Sequence, residues 1–303
     1  MYYYWAYGLN IYSEIPFPEL FEVREFPEPD AVLVCGEVPK SIHGESGFRS
    51  EQIMISPTEY LLHVNDVASY YVQQGKRIVI ERKGEVDWDS VRLFCLSNAF
   101  AALLQQRNLI PLHCSAFLDN DELVLIMGDS GAGKSTTLAA LLNRGYLPFS
   151  DDVCVPLLKE GNNELYMCSS YPMMKYWGDT FGKVDIKGGQ KDRKIRPDMD
   201  KFGVYFHERF ITDFKKVKLV VMIEKVSNTV AVSTRKLAGI DLFQRLERNA
   251  YRGEYLGFTG LQKEHFTLFT CIATATKTVL ISRPVSENSI EGVIDAILCE
   301  LQS

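Results

Sequence analysis

Gly128-Asp129-Ser130-Gly131-Ala132-Gly133-Lys134-Ser135 constrains this chain more than any other stretch, because it fits G-x-x-x-x-G-K-[ST] between an apolar run and a helical pattern. Leu123-Val124-Leu125-Ile126-Met127 reads as a fully buried strand, and Leu138, Leu141 and Leu142 form the apolar stripe of a helix that stops near Gly145. In that setting the glycines let successive backbone N–H groups curl around phosphate oxygens, and the following helix adds its positive end. Lys134 is expected to reach the β and γ phosphates and Ser135 a magnesium ion, with Asp129, Ser130, Ala132 and Thr136 completing the nucleotide cradle. The bland alternative is a glycine-rich turn without a ligand; strand, loop and helix together favour the cradle.

A chain of 303 residues with 46% apolar content buries a substantial core as one large domain or two smaller ones. Thirty-three basic against thirty-nine acidic residues give a net charge of −6, which argues against broad nucleic-acid binding and leaves a local basic channel possible. Seven scattered cysteines, none in a C-x-x-C pair, suggest neither a zinc site nor a disulfide framework. The start Met1-Tyr2-Tyr3-Tyr4-Trp5 does not read as a signal peptide, and no apolar run reaches membrane-spanning length. The expected location is the cytoplasm.

Strand-like runs cover Ala6 to Ile11, Ala31 to Cys35, Glu59 to Val64 and Arg77 to Glu81, punctuated by Pro16, Pro18, Pro27 and Pro29. From Asp89, read as an N-cap, a helix runs to about Arg107 with apolar residues on most faces. Residues 1–108 are thus expected to form a mostly β module with a bridging helix, and residues 109–303 the nucleotide domain. Further strands are expected at Val217 to Ile223, Thr229 to Thr234 and Val279 to Ser282, with helices over Leu237 to Arg248 and after Ser286. Glu287 and Glu291 suit the positive end of that last helix. Between Lys183 and Lys201 lies a segment with Gly188, Gly189, Lys187, Lys191, Arg193, Lys194 and Arg196, which reads either as a loop or as a lid that grips phosphate. Arg235 and Arg245 are later candidates for the same grip.

Phosphoryl transfer asks a protein for a cradle, a metal and a group that orients or deprotonates the acceptor. Asp151-Asp152 begins seventeen residues after Lys134, the length of a helix, a turn and a returning strand. Such a pair arrives at the carboxyl end of a strand beside the loop, where open α/β sheets bind ligands. One carboxylate would take the acceptor's proton and the other hold magnesium. His113 lies in an apolar run, where a core role is common; it also suits a place beside phosphate or as a hydrogen-bond partner of Asp151. His207 and His265 read as core or surface residues, and Tyr2, Tyr3, Tyr4 and Trp5 as a strand packed on the module's core.

His113 fifteen residues before Gly128, the loop, and the aspartate pair together resemble the catalytic domain of HPr kinase/phosphorylase. That resemblance implies an α/β fold like that domain and phosphoenolpyruvate carboxykinase, with the loop in a mixed, largely antiparallel sheet. It implies ATP- and Mg2+-dependent phosphorylation of serine, with Asp151 as catalytic aspartate, Asp152 as its metal-linked neighbour and His113 as active-site histidine. Lys134 and Ser135 take the phosphate and magnesium contacts. It does not extend to reverse phosphorolysis, since Thr136 follows Ser135 where the bifunctional enzymes carry glutamate. Tyr7-Gly8-Leu9, Ser13-Glu14-Ile15-Pro16, the Arg107 to Ser115 segment and Tyr171-Pro172 look like the shorter kinases encoded beside lasso-peptide precursors. That second resemblance implies the C-terminal serine of such a peptide as acceptor. The residues themselves also admit a small-molecule kinase of the same fold, acting for example on free serine, and a nucleotide-dependent regulatory module or ATPase without an acceptor.

Overall fold

The computed structural model describes residues 1–43, 47–159, 164–178, 180, 184, 193–196, 199–227, 230–285 and 289–302. The amino-terminal part is a nine-stranded sheet in the order Phe21–Glu22, Tyr2–Ala6, Leu9–Ser13, Ala31–Cys35, Arg77–Arg82, Ala68–Gln73, Glu59–Val64, Ile53–Ile55 and Phe48–Arg49. The expected strand from Ala6 to Ile11 is instead a hairpin. Tyr7 and Gly8, at φ 57° and 78°, take the left-handed turn that joins two right-twisted strands. Tyr2–Ala6 is paired on both sides, so its aromatic residues serve the sheet.

The bridging helix begins two residues earlier than expected. Asp87, not Asp89, is the N-cap, its carboxylate accepting from the Ser90 N–H at 2.7 Å. The helix runs over Trp88–Phe94, passes through a π-helical turn at Cys95–Ala99 and resumes at Phe100–Gln105, where all six residues are buried. A hydrophobic cluster around this helix joins the amino-terminal sheet to Val153, Val155, Tyr171 and Met173 from later in the chain. The Tyr7 hydroxyl donates to the Leu96 carbonyl, and its backbone N–H to that of Ser170.

The second sheet is mixed. At its centre the strand Glu122–Met127 is antiparallel to Ser115–Asp119 and parallel to Lys215–Val226, which is parallel in turn to Lys277–Pro284. Leu147–Ser150 pairs antiparallel with Ser115–Asp119, so the aspartate pair follows a strand two places from the loop strand, not one beside it. Cys154–Lys159 and Glu164–Ser169 form a hairpin that joins the start of Lys215–Val226. Ser233–Lys236 covers the far edge; the expectation of a strand from Thr229 overlaps it, but residues 228 and 229 lie outside those described.

Helices Lys134–Asn143 and Ile290–Gln302 pack on one face, and Gly239–Arg248 and Gln262–Ala275 feed the cluster on the other. Glu291, in the first turn of the carboxy-terminal helix, pairs with Arg144; Glu287 lies outside the described residues. A three-stranded sheet of Met173–Trp177, Lys201–Tyr205 and Arg193–Lys194 stands beside the aspartates. No helix among the described residues is long and apolar enough to cross a membrane.

Candidate active site

The loop from Gly128 to Ser135 joins the strand Glu122–Met127 to the helix Lys134–Asn143. Gly128 sits at φ 142°, and a Cβ there would lie 2.3 Å from the Ile223 carbonyl oxygen, so no other residue fits. Its N–H donates to Asn249 Oδ1 at 3.0 Å. Gly133, at φ 110°, is the helix N-cap. Lys134 is 8% exposed and donates from Nζ to the Gly128 carbonyl at 2.7 Å. Burial lowers its ammonium pKa against the pull of Asp151 and Asp152.

The loop opens into a cleft of about 890 Å³. Among the described residues, five basic side chains, Lys134, Lys175, Lys201, Lys225 and Arg283, line it against Asp151, Asp152 and Asp200. In a chain of net charge −6 this is a local excess of positive charge, suited to an anionic ligand.

The two aspartates differ in role-defining contacts. Asp151 is 2% exposed; its Oδ1 accepts from Ser115 Oγ at 2.6 Å and Ser135 Oγ at 3.0 Å, and its Oδ2 from the Lys175 N–H at 2.9 Å. Asp152 takes φ 78°, a left-handed conformation that aspartate tolerates better than most residues, and its side chain has partners different from those of Asp151. Asp152 Oδ2 receives Lys175 Nζ at 2.7 Å, and Oδ1 lies 3.3 Å from His113 Nδ1. Burial by itself would raise the Asp152 pKa, yet Lys175 and then His113 hold it well below the usual carboxylate range. Burial likewise opposes the charge on Lys175, and Asp152 holds that ammonium well above the usual lysine range.

His113 is placed by its neighbours in the chain. Leu112 and Cys154 exchange backbone hydrogen bonds at 2.9 and 3.0 Å, and the His113 N–H donates to the Asn249 carbonyl at 2.7 Å. His113 Nδ1 lies 2.8 Å from the Asp152 carbonyl oxygen, so the expected partnership with Asp151 is replaced by one with Asp152. A neutral ring donating from Nδ1 carries its lone pair on Nε2.

The donor set suits magnesium. Ser135 and Asp151 offer hard oxygen atoms beside the cradle, and this ion is commonly held by one or two carboxylates plus substrate phosphates and water. Among the described residues no three His, Cys, Asp or Glu side chains form a metal cage of their own.

Of the basic candidates, Lys201 lines the cleft, its Nζ 5.5 Å from the Trp177 ring centroid. Lys194 lines a separate crevice against the bridging helix, and the Arg196 guanidinium lies over the Phe94 ring. Arg235 pairs with Asp241, and Arg245 with Glu224 and Asp241; Arg245 also lines a second crevice with Gly128, Asp129, Ser130 and Ala132 of the loop. Lys183, Lys187, Gly188, Gly189, Lys191 and the side chain of Arg193 lie outside the described residues. His207 donates from Nε2 to the Leu20 carbonyl, and the His265 ring packs on Phe269.

Residues of the site that escape the sequence reading include Lys175, Asn249, Asp200, Lys225 and Arg283. Lys175 carried a signal, a charge inside Met173-Met174-Lys175-Tyr176-Trp177, where burial demands a partner. Lys225 and Arg283 stand at the carboxyl ends of two parallel strands, the general place for ligands in such sheets.

The sequence matches no protein-family model and no curated protein. Among solved structures, the HPr(Ser) kinase/phosphatase from Coxiella burnetii matches at a TM-score of 0.32 and 14% identity, over 63% of this chain and 90% of that one. A similarity of that size carries no functional conclusion.

Proposed function

We propose that this chain is a magnesium-dependent kinase that transfers the γ-phosphoryl group of ATP to a serine hydroxyl of a peptide or protein. The observation that carries the reading is the convergence, in one cleft, of the Gly128–Ser135 cradle, the Ser135–Asp151 contact and the Asp152–His113–Lys175 cluster. Phosphoryl transfer needs positioning and charge stabilisation more than covalent chemistry, and these residues provide both.

The resemblance assigns catalysis to Asp151 and metal linkage to Asp152; the contacts favour the reverse. Both Asp151 oxygens are engaged, one of them by the hydroxyl expected to face magnesium, so Asp151 would hold the metal together with Ser135. When bound, that ion would neutralise charge on the donor phosphates. Asp152, kept ionised by Lys175, would orient the serine hydroxyl and accept its proton as the oxygen bonds to phosphorus and the bond to the leaving diphosphate breaks. Lys134 and the loop amides would stabilise charge on the transferring group. Residues 1–108 would help hold the acceptor, whose C-terminal serine in a lasso precursor is the form the second resemblance points to.

The test is incubation with γ-labelled ATP and Mg2+ in the presence of a serine-ended peptide, free serine or no acceptor. Label in the peptide, located to serine by mass spectrometry, is the expected result. Label in free serine would make the protein a small-molecule kinase, and release of inorganic phosphate alone in every reaction would make it an ATPase.

A further inference from the structure

Asp151 and Asp152 follow a strand that lies two places to one side of the loop strand Glu122–Met127. On the other side, at one and two places, stand Lys215–Val226 and Lys277–Pro284. Adjacent strands are about 4.8 Å apart, so each flank extends roughly 10 Å from the loop strand. Lys225 and Arg283 are direct partners in the register of those two parallel strands, both near the carboxyl ends, and both line the cleft.

Their side chains reach back to the loop. Arg283 donates from Nε to the Ala132 carbonyl at 2.9 Å and from Nη1 to Pro284 O and Ser289 Oγ at 3.3 and 3.4 Å. A guanidinium has five N–H donors, so among the described residues the two on Nη2 have no acceptor, and Nη2 lies 3.4 Å from where a Cβ on Gly133 would stand. Lys225 Nζ lies 3.8 Å from the corresponding position on Gly131. Lys225 has no carboxylate partner among the described residues. Two cations thus meet the two loop glycines that bracket Ala132 within the cleft, on the flank away from the aspartates.

We infer that Lys225 and Arg283 form a subsite for the α-phosphate of a nucleoside di- or triphosphate. This rests on the kinase reading, which places the γ-phosphate toward Asp152 and the β-phosphate in the loop amides with Lys134. The α-phosphate is then the remaining anion, and it leaves the loop on the flank where the two cations stand. Their charge stays with the group that does not transfer, so they bind donor and product nucleotide alike and leave the chemical step to the aspartate flank.

The test uses the full chain with Mg2+ and measures, by calorimetry, the affinity for ADP and for the two diastereomers of its α-thio analogue. Sulfur replaces one α-oxygen in each diastereomer, so a directed cationic contact makes the wild type distinguish them. Lys225→Ala and Arg283→Gln should each weaken ADP binding by about tenfold to a hundredfold, the range for a lost charge-assisted contact, and bring the diastereomer ratio toward one. Because Arg283 also holds the Ala132 carbonyl, Lys225→Ala is the variant that separates binding from loop geometry. Unchanged ADP affinity in Lys225→Ala, or an unchanged diastereomer ratio in both variants, would overturn the subsite while leaving the kinase reading intact. Failure of the wild type to bind ADP at all would overturn both.

Discussion

Replacing Lys175 by methionine removes the ammonium that faces Asp152 while keeping a side chain of similar length in a site where Lys175 is 6% and Asp152 16% exposed. Breaking a buried pair by deleting one partner costs about 3–5 kcal/mol, because the other charge stays desolvated. The protein has one escape, protonation of Asp152. For a carboxyl with an unfolded pKa near 4, that costs at pH 7 about three units at 1.36 kcal/mol each, or roughly 4 kcal/mol. The two routes agree, and the second predicts a pH dependence. In the wild type the Asp152 pKa is depressed, so its contribution is present above about pH 4 and lost as pH falls through the folded value. Lys175 is raised, so its contribution is lost only as pH rises through a value above the usual lysine range. Between pH 5 and 7 the pair therefore adds no slope. In Lys175→Met the folded Asp152 pKa rises instead, and the penalty should grow from roughly 1.5 kcal/mol at pH 5 to about 4 kcal/mol at pH 7. Urea unfolding at the two pH values measures it. The double variant Lys175→Met/Asp152→Asn should recover much of the loss at pH 7, since it removes the stranded charge. Equal penalties at pH 5 and 7, together with a double variant no more stable than the single one, would refute the argument.

Asp152→Asn should lower kcat by roughly 10²- to 10⁴-fold with ADP affinity nearly unchanged, as for a lost general base, whereas Asp151→Asn should raise the magnesium concentration needed for half-maximal rate. If Asp151→Asn instead gives the kcat loss at saturating magnesium, the assignment taken from the resemblance stands and the exchanged one falls. Gly128→Ala places a Cβ against the Ile223 carbonyl and should cost at least about 2 kcal/mol in chemical denaturation, with loss of ADP binding in calorimetry. Asn249→Ala leaves the buried Gly128 N–H without its acceptor and should destabilise by about 1–3 kcal/mol in the same unfolding assay.

The loop was legible because its motif, strand and helix are contiguous and each obeys a local rule. Asp151-Asp152 was legible by its distance along the chain, but not the division between the two. That division depends on which distant residues, Ser115, Ser135 and Lys175, the fold brings to each carboxylate, and this leaves no mark in the local sequence. The neighbouring strand was misplaced for a related reason, since Leu147–Ser150 joins the outer side of Ser115–Asp119 rather than the loop strand. Pairing of that kind is decided by tertiary packing. Asn249 could not have been found at all from local pattern: it reaches Gly128 across 121 positions from the end of a helix of unremarkable sequence.

Val153 and Met173, each a short step along the chain from Asp152 or Lys175, are packed into the same hydrophobic cluster as Ile11, Leu33 and Phe100 of the amino-terminal sheet and bridging helix. The two halves of the protein are therefore not interchangeable cassettes. In a lineage of such proteins, an amino-terminal half could not be exchanged for another without recutting the apolar seam behind the segments that carry Asp152 and Lys175. Innovation in what the protein recognises would be expected to proceed by substitution at the rim of the cleft and to leave the joint between the halves as inherited.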